Sequence, residues 1–220
     1  MTGLRLTPDE FEELVASRAA PGSAGDHEPA RHTEALAAVA APMALLRLWV
    51  AGPDRASLHQ LWCSGGTTGV LLHVRDDTYE LHAIATSFVP ALLARITRLG
   101  PRRTRATGDV PVSAAWIEAV MDAEIDGRHS AWEELQAASN PGLRDAVRAG
   151  SLWAWTLDCA WPAAEDEPGQ RRLVVVDGAA GTWIHDGHAL VPASAREVWR
   201  VLTRILPDDD ELAPDVFDAG

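Results

Sequence analysis

The sequence contains no lysine, so all 19 of its basic residues are arginine. That absence excludes three chemistries together: the Walker phosphate loop with its Gly-Lys-Ser/Thr ending, the lysine Schiff base, and the strand lysine of protein kinases. Cysteine occurs only twice, at Cys63 and Cys159. No close metal or redox spacing joins them, and both are expected to be buried free thiols. No apolar run approaches the roughly 20 residues of a bilayer-spanning helix. The opening Met1-Thr2-Gly3-Leu4-Arg5-Leu6 leads into a polar segment and not into a signal-peptide core, so a cytosolic protein without membrane insertion is expected. Positive charge is scarce: the net charge is −13. Nucleic acid is therefore not an expected partner, since phosphate neutralisation needs a basic face. Arg98, Arg102, Arg103 and Arg105 come nearest to one and are read as a solvated loop. No Gly-x-Ser-x-Gly elbow is present, and nothing marks Ser64 or Ser151 as an activated nucleophile.

What the chain does contain is a pattern stated twice. Residues 44–99 read as four strands and a helix, and residues 152–206 read so again. In the closing helices Ser87-Phe88-Val89-Pro90-Ala91-Leu92 stands against Ser194-Ala195-Arg196-Glu197-Val198-Trp199, and Leu99 against Leu206. Acidic turns, Asp76-Asp77 and Asp186-Gly187, close a strand pair in each half. Two units that each bury one sheet face would join into one sheet with pseudo-two-fold symmetry. The expected fold is α+β: a quasi-two-fold duplicated unit, its central antiparallel sheet flanked by helical bundles. A single domain is expected over 1–207, with a first repeat at 44–99, a helical insert at 112–149, a second repeat at 152–206 and an acidic disordered tail at 208–220.

Local signals place the elements. Thr7, Pro8 and Glu10 open a helix as N-cap, first helical residue and reciprocal cap, with Phe11, Leu14 and Val15 facing the core. Residues 21–28 read as a flexible connection, and Thr33 starts an alanine-rich helix. Residues 45–50, 58–63, 70–74 and 79–84 read as strands separated by turn residues. The helix at 87–99 is expected to bury Phe88, Leu92, Ile96 and Leu99, and 100–111 reads as a linker. In the insert, Ile117, Val120, Met121 and Ile125 keep helical spacing, Trp132 and Leu135 continue after a break at Gly127, and Leu143 and Val147 follow Pro141. Trp153, Trp155, Leu157, Cys159 and Trp161 alternate onto one face, as only a strand allows. Ser194 caps the last helix, whose stripe is Val198, Val201, Leu202, Ile205 and Leu206.

Candidate chemistry is sparse. His185-Asp186-Gly187-His188 reads as a hairpin whose histidines face each other, two ligands short of a metal site. His59, Cys63, His73 and His82 match no zinc spacing. Gly65-Gly66-Thr67-Thr68-Gly69 lies between strands, so no helix N-terminus completes a phosphate cradle. No metal, no cofactor and no enzymatic activity is expected. Nine tryptophans remain. Most are read as core, with one or two available to anchor a partner.

Leu6-Thr7-Pro8-Asp9-Glu10-Phe11 is similar to the opening helix of the EspG family, the cytosolic substrate-binding chaperones of type VII (ESX) secretion in actinobacteria. Leu173-Val174-Val175-Val176-Asp177-Gly178, Gly181-Thr182-Trp183 and Leu190-Val191-Pro192-Ala193-Ser194 extend the resemblance over most of the chain. It implies one central antiparallel sheet flanked by helical bundles, and a non-enzymatic role: shielding the helical tip of a secreted PE/PPE-like or WXG-type protein until export. Guided by that family's use of a sheet loop and a helical bundle, the candidate partner surface is Gly65, Gly66, Thr67 and Thr68 with Trp132 and Leu135 of the insert. An immunity or regulatory protein that sequesters a toxin or signalling partner is the alternative, and a metal-dependent enzyme the third reading.

Overall fold

The structure is a computed structural model, and it describes residues 3–19, 30–101, 108–121, 125–137, 141–148, 151–162, 168–208 and 211. In chain order it runs β1 (Leu4–Leu6), α1 (Pro8–Ala19), α2 (Ala30–Ala40), β2 (Ala44–Ala51), β3 (Ala56–Ser64), β4 (Thr67–Arg75), β5 (Thr78–Ala85), a 3-10 turn (Thr86–Phe88) and α3 (Val89–Ile96). It continues with β6 (Val110–Pro111), α4 (Ala114–Val120), α5 (Ile125–Ala137), α6 (Pro141–Arg148), β7 (Leu152–Trp161), β8 (Gly169–Gly178), β9 (Gly181–His185), β10 (Ala189–Ala193) and α7 (Ala195–Leu202). This is an α+β fold built on one ten-stranded sheet, ordered β1-β5-β4-β3-β2-β7-β8-β9-β10-β6. Every neighbouring pair is antiparallel.

That order reads the same outward from the central β2–β7 pair, whose register sets Leu48 opposite Leu157. Each side contributes, in sequence, a short outer strand, helices, four strands joined as hairpins, and one closing helix. The outer strands β1 and β6 fall where the sequence reads a run-in and a linker. Three and two residues carry too little pattern to announce a strand, and pairing with β5 and β10 is what makes them strands.

Alternation along the central strands sorts the core into layers. Leu46, Leu48, Leu61, Trp155, Leu157, Cys159, Trp161 and Val175 share one face, covered by Val89 and Leu93 of α3 and Val198 and Leu202 of α7. On the other face, Trp62, Leu71 and Leu81 meet Ala35 and Leu36 of α2 and Phe11 of α1. Farther along that face Ala154, Val174, Val176 and Trp183 meet α4, α5 and α6. Gly69 lets α2 approach β4: a Cβ there would stand 2.6 Å from the Ala35 carbonyl oxygen.

Caps read from sequence are built as such. The Thr7 amide donates to the Glu10 carboxylate at 2.7 Å and the Glu10 amide to Thr7 Oγ1 at 3.3 Å, and Ser194 and Glu197 repeat the box at α7. Three phases differ from expectation. The alanine-rich helix begins at Ala30, three residues before Thr33. Gly127 lies inside α5 and not at a break, while α4 stops at Val120 with Met121 as its C-cap. The helix over 87–99 is divided, because Thr86–Phe88 forms its own tight turn and α3 takes its phase from Val89. Val89 and Leu93 are therefore the buried pair, and Phe88 is turned out to solvent. The connection at 21–28, residues 102–107 of the linker, the side chains of Ile125 and Val147, and the tail apart from Asp208 and Glu211 lie outside the described residues. Among the described residues no helix is long and apolar enough to cross a membrane.

Candidate functional site

The turn between β3 and β4 needs a glycine at its first position, where Gly65 sits at φ 56°. It is clamped to the β5–α3 junction. The Thr86 amide donates to the Gly66 carbonyl at 2.9 Å, the Thr86 hydroxyl donates to the Gly65 carbonyl at 2.9 Å, and the Thr68 and Thr86 hydroxyls lie 3.1 Å apart. Gly65 and Gly66 are exposed, Thr67 is half-buried and Thr68 is buried. Of the four, the first three are open to a partner and Thr68 holds the turn in place.

Beside this turn lies an open groove of about 750 Å³, floored by Thr67, Ile84 and Ala85 and walled by Phe88, Ala91 and Leu92. Glu34 and Arg95 also line it, and neither makes an ion pair among the described residues. Phe88 is 64% exposed, the most solvent-open large apolar side chain among the described residues. An aromatic ring left in water beside an apolar floor costs hydration free energy that a partner would recover. The sequence placed Phe88 in the core stripe, and only the 3-10 turn before α3 moves it out.

The other half of the expected surface is not surface. Trp132 is 3% and Leu135 1% exposed, and both are packed among Trp116, Ile117, Leu143 and Trp183. Trp132 meets Trp116 edge-on, with ring centroids 6.3 Å apart, and the Trp116 indole donates to the Ala131 carbonyl at 2.7 Å. Helical spacing shows that a stripe is apolar, but not whether a core or a partner covers it. In this insert the core covers it.

His185 Nδ1 and the Asp186 carboxylate are tied into their own turn. The Asp186 carboxylate accepts the His188 and Ala189 amides at 2.9 Å each, which holds its carboxyl below the ordinary range, and His185 Nδ1 accepts the Gly187 amide. His59 is buried, and its Nδ1 accepts the His73 amide at 3.2 Å. The ring proton of the neutral form therefore sits on Nε2, which faces Ser57 Oγ at 3.3 Å. An imidazole that donates to a serine cannot act as its base, so this pair is structural. Burial pushes the Cys159 thiol up to about 12 and raises Cys63 as well, and both thiols are free. Among the described residues no group of three or more His, Cys, Asp or Glu is arranged to hold a metal ion.

No protein-family model matches the chain, and no curated protein matches it. Among solved structures it is similar to that of the type VII secretion system chaperone EspG5 of Mycobacterium tuberculosis in complex with the PE25-PPE41 dimer. The TM-score is 0.59 at 14% identity, over 96% of this chain and 100% of that one. At such identity the likeness is one of fold, the large antiparallel sheet with its helices.

Proposed function

We propose that this protein is a cytoplasmic, non-enzymatic chaperone of a type VII-like secretion system. It holds the helical tip of a secreted PE/PPE-like or WXG-type client in the groove beside the Gly65-Gly66 turn. The observation that carries this reading is the exposed Phe88 over an apolar floor, with Glu34 and Arg95 as its charged lining. The fold shared with the EspG5 chaperone supports it.

The chemistry of a helical tip fits this lining. Where one helix ends and the next begins, the first leaves carbonyls without partners and the second leaves amides. Arg95 can donate to the carbonyls and Glu34 can accept from the amides, each matched in sign to the helix dipole it meets. Phe88 supplies the desolvated anchor that helix-in-groove recognition requires.

The test is capture of partners from the native host by the tagged protein, compared with its Phe88→Asp variant. Because Phe88 is exposed, the variant should keep its stability within about 0.5 kcal/mol. It should lose affinity for the client by about a hundredfold, as truncation of an aromatic anchor does. Small helical secreted proteins bound by the parent and lost by the variant are expected. Recovery of a toxin alone would replace this reading with sequestration.

A further inference from the structure

A second groove, of about 390 Å³, runs between β8 and α7 and is lined by Arg171, Arg172, Arg200, Val201, Arg204 and Ile205. Four arginines around one cleft are unexpected on a chain of net charge −13. Arg172 is committed elsewhere, to Glu118 at 3.0 Å and Asp158 at 3.4 Å. Arg200 and Arg204 make no ion pair among the described residues.

One of the lining arginines already holds a carboxylate. Arg171, stacked 5.0 Å over the Trp161 ring, donates from Nη2 to Glu211 Oε1 at 2.7 Å and Oε2 at 2.5 Å. Its Nη1 donates to the Arg204 carbonyl at 2.9 Å and also to the Leu206 carbonyl. Glu211 Oε2 accepts the Asp208 amide at 2.8 Å. One guanidinium thus ties the end of the α7 segment to Glu211. In sequence the acids after α7 are Asp208, Asp209, Asp210 and Glu211, with Asp215 and Asp218 beyond them.

We propose that the β8–α7 groove is a docking site for acidic peptide, and that its resident occupant is this chain's own C-terminal segment from Asp208 onward. Charge complementarity carries the assignment: a carboxylate of that segment is seated on Arg171, two further arginines line the same cleft, and the segment goes on supplying carboxylates. Guanidinium–carboxylate pairs of this kind are short, directional and weakened by salt. The inference stands independently of the function proposed above.

The probe is a fluorescent peptide of residues 208–220, added to the full-length protein and followed by fluorescence polarisation. Wild type, its groove occupied, should bind it weakly. A full-length D209N/D210N/E211Q variant should bind it about tenfold more tightly or better, with the gain lost at high salt. Adding R200E/R204E to that variant should abolish binding. Circular dichroism of each variant separates loss of the groove from loss of the fold. Equal binding by wild type and the neutralised variant, no binding by either, or binding that survives R200E/R204E in a folded protein would overturn the proposal.

Discussion

Replacing Trp155 with alanine is expected to cost about 4 kcal/mol of stability, the range typical of a large aromatic deleted from a packed core. Trp155 is 0% exposed and lies on β7 opposite Val50 of β2 and Val175 of β8. It stands where the two halves of the sheet meet, beneath α3 and α7, in the same cluster as Leu46, Leu48, Leu157, Val89, Val198 and Leu202. A backbone held by β2 on one side and β8 on the other cannot collapse into the space the indole leaves, so a cavity term adds to the lost transfer free energy. Against a total stability of about 5–15 kcal/mol for an ordinary domain, that is a large fraction. Urea unfolding should show a lower midpoint with little change in slope. A loss below about 1 kcal/mol would mean that the centre of this sheet is not a packed core.

Lowering the pH from 7 to 5 is expected to cost about 2 kcal/mol through His59 alone, rising toward about 3 kcal/mol near pH 4. Burial, reinforced by the neighbouring His73, brings the His59 imidazole from 6.5 down to about 4. The fold thus keeps His59 neutral while the unfolded chain takes up a proton. Stability is fully present above about 6.5 and falls as the pH approaches the folded value. The interaction is local: Nδ1 takes the His73 amide and Nε2 gives to Ser57, and a charged ring would lose the first of these bonds. Glu10, Asp186, Glu197 and Glu211 are held below their ordinary range by hydrogen bonds, so they withdraw stability only in more acid solution. The window between pH 7 and 5 therefore lies above the range in which those carboxylates act. A His59→Gln variant should flatten the dependence in that window, and an equal slope in both proteins would refute the assignment.

The elements that sequence makes legible are those with local causes. The alternation of Trp153 to Trp161 and the Ser194–Glu197 box each depend on residues a few positions apart and are built as read, whereas the Asp186-Gly187 turn forms in its expected place with a longer loop, so that His185 faces Leu190 and not His188. The short outer strands β1 and β6 have no such cause, since partners 70 or more residues away define them. Phe88 shows the same limit on a finer scale. Its helical spacing with Leu92 and Ile96 is real, but a 3-10 turn just before α3 resets the phase and exposes the ring. Trp132 and Leu135 show the converse, apolar spacing that a neighbouring helix and sheet already satisfy. The glycine turn was visible because Gly65-Gly66 can do little else between two strands. The groove beside it was not, because Glu34, Ile84, Phe88 and Arg95 converge only in three dimensions.

The most direct test places a benzophenone amino acid at position 88 in the native host, irradiates the cells and identifies what is joined to the protein. The same substitution at Val74, which is exposed on β4 and is not among the groove residues, serves as the control. Crosslinks from position 88, absent from position 74, to the turn region of a small helical secreted protein are the predicted result. Crosslinks from position 88 to a toxin or to no protein at all, in cells that express the client, would contradict the account.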